Sequence, residues 1–249
     1  MRQEEQYRMN INDLLAKTGA TANILEEEID VDTQRQYIAL AKRLCKRKQE
    51  YEVLLQQARE NPDRLFDETV SDEEKKQLLV LLATLNDVAI YRTIESFAKQ
   101  QTCLQKWAAV ALQQARVLLQ STFLEENTVF VSTGLGGSGY NLRYFCVFFI
   151  NTDTGLQPYQ RNVIQNETEM ALGRLKGSVE RFEFYDRYIT LTALLPIQAD
   201  LKEVFKSIIE ECNMYGHFLH EQMIITNVRK LTIEEIDTFL DDEYSGEER

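Results

Sequence analysis

Residues 132–150 read STGLGGSGYNLRYFCVFFI, and the fold turns on how this stretch is understood. Gly134, Gly136 and Gly139 satisfy G-x-G-x-x-G, the spacing of dinucleotide-binding loops. In such a loop a helix follows the glycines and turns its N-terminus toward the pyrophosphate. Here Tyr140–Ile150 follows, with no helix cap and with aromatic and branched residues that favour a strand. A P-loop fails as well, because Gly139 precedes Tyr140 where that motif needs lysine. The expectation is therefore that Gly134–Gly139 joins two antiparallel strands, 128–133 and 142–150. Glycine supplies the positive φ that reversing the chain requires. Residues 134–140 are more than a tight turn needs, which makes Gly134, Gly136, Gly137, Gly139 and Tyr140 a candidate partner-contacting loop. With Arg143 nearby, the loop amides are also a candidate nest for a small anion.

Downstream, Phe145, Val147 and Phe149 alternate with Tyr144, Cys146, Phe148 and Ile150. Both faces are apolar, so this strand is expected to be central and covered on both sides. Pro158 opens a helix to about Lys176, ended by Gly177. VERFEF (179–184) and YITLTALL (188–195) read as strands joined at Tyr185-Asp186-Arg187. Leu201, Val204, Phe205, Ile208, Ile209 and Cys212 form one apolar helix face behind a capping box at Asp200 and Glu203. Met223–Thr226 is a short strand, and Thr232 with Glu235 caps a last helix before the tail DDEYSGEER. Two successive ββα units predict a two-layer α/β sandwich with a mainly antiparallel sheet.

Upstream the composition changes. Gly19 is the only glycine before Gly134, and ten of the twelve phenylalanines lie at or after Phe123. A glycine-free, aromatic-poor stretch suits helices, so the chain reads as α+β, with an all-helical part at 1–122 and the sandwich at 123–249. Tyr37, Ala41, Leu44, Lys48, Tyr51, Leu55 and Ala58 predict one helix over about 33–60, stopped at Asn61-Pro62-Asp63. Ser71 with Glu74 opens the next helix, Asn86-Asp87 another, and Thr102 a third running to about Gln120. These are helices joined by short loops, as in an antiparallel bundle. Over about 35 residues, Leu104-Gln105 and Ala108-Ala109-Val110-Ala111-Leu112 resemble the second helix of a HEAT repeat, with Gln105 where that family usually has arginine. The resemblance implies a helical scaffold that binds other proteins.

Composition narrows the function. The formal charge is −12, which argues against broad affinity for nucleic acid or anionic lipid. The excess lies in residues 121–249, with 11 basic and 21 acidic groups against 17 and 19 in residues 1–120. The start of the chain has no apolar run, and LLVLLA and FCVFFI are too short to span a bilayer. Cys45, Cys103, Cys146 and Cys212 form no C-x-x-C pair and are expected to be reduced, mostly buried thiols of a cytoplasmic protein. The dense basic run Lys42, Arg43, Lys46, Arg47 and Lys48 is a candidate surface for RNA or an acidic protein, or a solvated helix face. His217 and His220 lie where a strand points them apart, so neither a metal site nor histidine catalysis is expected. Glu26-Glu27-Glu28 reads as solvated charge, and Trp107 as a packing residue. These features together predict a non-catalytic intracellular adaptor or scaffold without cofactor or metal. It would bind another protein through a helical face and the glycine loop. The alternatives are a sensor or enzyme holding a phosphorylated small molecule at 134–139, and an RNA-associated factor using 42–48.

Overall fold

The computed structural model describes residues 21–46, 48–100, 102–124, 128–152 and 155–244. The chain is α+β, and its contacts fall into two compact units, Met1–Tyr140 and Asn141–Arg249. Composition changes near 121–127, whereas the contacts divide after Tyr140.

Among the described residues of the first unit, a short strand β1 (Thr21–Ile24) precedes the α-helices α1 (Val31–Cys45), α2 (Lys48–Glu60), α3 (Asp72–Leu82), α4 (Val88–Ala98) and α5 (Gln105–Leu124), with a 3-10 turn at Pro62–Phe66 between α2 and α3. Local chemistry sets several starts. Ser71 and Glu74 make a reciprocal capping box on α3, and Asp87 caps α4 through the amides of Ala89 and Ile90, which satisfies donors that a helix start leaves bare. The single helix expected over 33–60 is two helices, α1 ending at Cys45 and α2 beginning at Lys48. Alanines 108, 109, 111 and 115 of α5 are buried. Their small side chains let α5 pack against α4, α3 and α1. Trp107 is buried beside the Tyr37 ring, 5.4 Å between centroids, and its indole N–H donates to the Lys76 carbonyl at 3.3 Å.

After α5 comes β2 (Thr128–Val131), and here the antiparallel hairpin expected for 128–150 is not formed. β2 instead pairs parallel with β1, Thr21 opposite Thr128 and Ile24 opposite Val131. Two buried glutamines fasten this ribbon. Gln113 donates to the Ile24 carbonyl at 3.1 Å and also bonds Asn23; Gln34 donates to the carbonyls of Ile29 at 2.7 Å and Thr133 at 3.1 Å. A buried backbone carbonyl without such a partner costs free energy. Beyond the glycine loop, with its two-residue strand β3 (Gly137–Ser138), the second unit begins.

That unit runs β4 (Asn141–Ile150), α6 (Pro158–Arg174), β5 (Ser178–Phe184), β6 (Tyr188–Pro196), α7 (Leu201–Asn213), β7 (Leu219–Thr226) and α8 (Ile233–Tyr244). β4 pairs antiparallel with β6 and β7, and β5 pairs antiparallel with β6. The four long strands therefore lie in the order β7-β4-β6-β5, the split βαβ arrangement, in place of two ββα units. β4 is central, and Tyr144–Ile150 is buried throughout. Its alternating faces have different covers: Phe148 meets Phe205 of α7 edge-on at 6.0 Å, while Phe149 stacks on Phe239 of α8 at 5.7 Å. Of the expected capping boxes, the one at α8 is reciprocal between Thr232 and Glu235, whereas at α7 Asp200 accepts from the Glu203 amide as a simple cap.

Candidate functional site

The glycine loop was the first candidate, and its geometry is inward. No helix begins in it. Gly134, Gly136 and Gly137 are buried, while Gly139 and Tyr140 are exposed. Gly136 has φ +68° and Gly139 φ +57°, the left-handed region that glycine enters without strain. The amides are committed to the chain itself. Gly136 donates to the Thr133 carbonyl, Gly137 to the Glu26 carbonyl, and Gly139 to a Glu26 carboxylate oxygen, each at 3.3 Å. An anion nest needs convergent amides open to a ligand, and here the chain's own Glu26 takes two of them. Glu26 is thus a partner of the loop rather than part of a purely solvated run.

Arg143 belongs to the other unit, where Nε and Nη2 form a bidentate pair with Glu180 at 2.6 and 2.8 Å. This hydrogen bond holds the Glu180 carboxyl below its usual range. A depressed folded value stabilises the native state above the unfolded carboxylate range, and that contribution is lost as pH falls through the folded value. Both side chains are partly exposed, so the effect is expected to be about 1 kcal/mol or less. Comparing urea midpoints of the wild type and Glu180→Gln should show the wild type ahead at pH 7 and the difference vanishing in acid. A constant difference would show that the charge is not involved.

The basic run lies at the corner where α1 ends. Lys42, Arg43 and Lys46 are exposed, and no ion pair within 4.0 Å engages them among the described residues. Lys48 begins α2 and is exposed too; Arg47 lies outside the described residues. Residues 31–60 hold seven basic and four acidic side chains, a positive segment in an acidic protein.

Other chemistry is sparse. Among the described residues, no group of three His, Cys, Asp or Glu side chains could hold a metal ion. His220 is on β7 and His217 precedes it. The thiols depart from expectation: Cys146 and Cys212 are buried, but Cys45 and Cys103 are exposed. Burial pushes the Cys212 thiol up to about 12, and a hydrogen bond to Asp72 raises that of Cys103, so neither has the thiolate character of a nucleophile. No helix among the described residues is long and apolar enough to cross a membrane.

No known protein family matches the sequence, and no curated protein does; the HEAT resemblance of α5 gains nothing from either comparison. Among solved structures, one neighbour is a candidate transposase from Deinococcus radiodurans R1, with 12% identity and a TM-score of 0.37, the match covering 43% of this chain and 93% of that one. Another is a REP-associated tyrosine transposase bound to a REP hairpin, with 9% identity and a TM-score of 0.31, covering 40% of this chain and 62% of that one. The expectation of a non-catalytic, protein-binding adaptor or scaffold, with nucleic acid an unlikely partner, is corrected: both neighbours are transposases, one of them bound to a REP hairpin. At these scores the likeness carries no activity over to this chain.

Proposed function

We propose that this protein binds nucleic acid through its phosphate backbone, using the basic run Lys42, Arg43, Lys46, Arg47 and Lys48. The observation that carries this reading is the exposure of Lys42, Arg43 and Lys46 without an ion partner among the described residues, in a chain where acids outnumber bases. A helix C-terminus favours one or two cations in its last turn. It does not account for five in the seven residues 42–48. The sheet offers no alternative platform. Four-stranded sheets that read RNA stack bases on exposed aromatics, whereas Phe145, Phe149 and Tyr188 are all buried. Contact is therefore to phosphates, with little sequence preference. The net charge of −12 keeps affinity modest, while the number of phosphates neutralised sets the slope of the salt dependence.

The test is fluorescence anisotropy of the full chain with a labelled DNA hairpin and a labelled single strand over a salt series. Replacing Lys42, Arg43 and Lys46 together by glutamine is expected to weaken binding about tenfold or more at low salt. It should also flatten the slope of log K against log salt by roughly 2–3, about one phosphate for each cation lost. Absence of binding at low salt, or binding that the triple variant leaves intact, would refute the proposal.

A further inference from the structure

The outer edge of β5 carries a self-complementary pattern. β5 lies at the end of the strand order, paired on one side with β6. Its residues Ser178–Phe184 are exposed or half-buried throughout. Edge strands are usually blunted by charges and bulges, and β5 has both: the register shifts between Val179 and Arg181, which leaves Glu180 as the bulged residue, and Arg181 and Glu183 carry charge.

Which backbone groups face outward follows from the hairpin. The Tyr185 amide donates to the Tyr188 carbonyl at 2.9 Å and closes the turn over Asp186-Arg187. Hydrogen-bonded and non-bonded pairs alternate up an antiparallel ladder. Glu183 (opposite Thr190) and Arg181 (opposite Thr192) therefore turn their amides and carbonyls toward β6. Phe182 and Phe184 turn theirs outward, where no backbone partner meets them among the described residues.

A second copy joined across a two-fold axis must pair outward residues with outward residues, and three such registers have their centre within residues 181–183, the interior of the regular ladder between the bulge and the strand end. Centred on Arg181, the two arginines face each other; centred on Glu183, the two glutamates do. Centred on Phe182, each Arg181 faces the partner copy's Glu183 across a non-bonded pair, where side chains approach most closely. Only this register avoids a like-charge pair. It also lets the two Phe182 residues exchange both backbone hydrogen bonds.

We infer that β5 is a self-association edge, through which two copies of this chain join their sheets antiparallel about Phe182. A strand-only contact is small by the standard of stable interfaces, so the dimer is weak and appears at high protein concentration. The closed symmetry limits growth to two chains along this edge.

Sedimentation velocity on the full chain over a wide concentration range tests this. The wild type is expected to pass from monomer to dimer. Arg181→Glu alone, or Glu183→Arg alone, places like charges opposite and should weaken association about tenfold or more. The double exchange Arg181→Glu with Glu183→Arg restores opposite charges and should restore the dimer. Arg181 is largely exposed and pairs with Glu183 along the strand at 2.6 Å, an interaction the double exchange keeps. Its behaviour is therefore informative even where a single variant folds poorly. A wild type that stays monomeric at every concentration overturns the inference. So does a dimer that the single variants leave unchanged, or one that the double exchange fails to restore.

Discussion

Gly136→Ala is expected to destabilise the protein by about 2–5 kcal/mol, whereas Gly139→Ala, three residues on, should cost about 1 kcal/mol. Both glycines have positive φ, so both substitutions incur the strain of a side chain in the left-handed region. Only one also meets the backbone. A methyl group at Gly136 would sit 2.5 Å from the Glu27 carbonyl oxygen and closer still to that of Glu26, while one at Gly139 finds nothing within 4 Å. Backbone cannot swing aside as a flexible side chain can, so the segment 24–30 or the loop must shift. Such a shift strains the bond from the Gly137 amide to Glu26 and the parallel pairing of β1 with β2. The only tryptophan, Trp107, is buried in the same unit, so the urea midpoint of its fluorescence is a direct readout. Equal shifts for the two variants would show that loop strain alone governs, and that the approach to Glu26 and Glu27 is loose.

The same loop shows where the sequence was legible and where it was not. That no helix follows the glycines could be read from Tyr140–Ile150, because an aromatic, branched run declares a strand locally. The helix caps at Ser71, Asp87, Asp200 and Thr232 were equally legible, since each involves residues within three of one another. The partner of β2 was not. Thr128 pairs with Thr21, and no local pattern in either short segment names the other. The inward turn of the loop was hidden for the same reason, as its amides end on Glu26, over a hundred residues upstream. Of the candidate interface, the density of cations at 42–48 could be read directly. That Lys42, Arg43 and Lys46 lie at the end of a helix could not, because the apolar stripe suggested one helix where there are two.

Phe148→Ala is expected to cost about 3–5 kcal/mol, the range for truncating a large buried aromatic. Phe148 is fully buried toward the C-terminal end of β4, with Ile189 of β6 opposite on one side and Met223 of β7 on the other. Its ring meets Phe205 edge-on, a geometry worth about 0.5–1.5 kcal/mol beyond the area buried. Removing it leaves a cavity between the sheet and α7 that cannot close without bending the central strand, which hydrogen bonds hold on both sides. Phe205→Ala should cost a similar amount, and the double variant less than the sum of the two, because the ring contact is lost only once. Far-UV circular dichroism in urea measures all three. A cost below about 1 kcal/mol for Phe148→Ala would mean that neighbouring side chains collapse into the space, and that the layer between β4 and α7 is packed far more loosely than the complete burial of both rings implies.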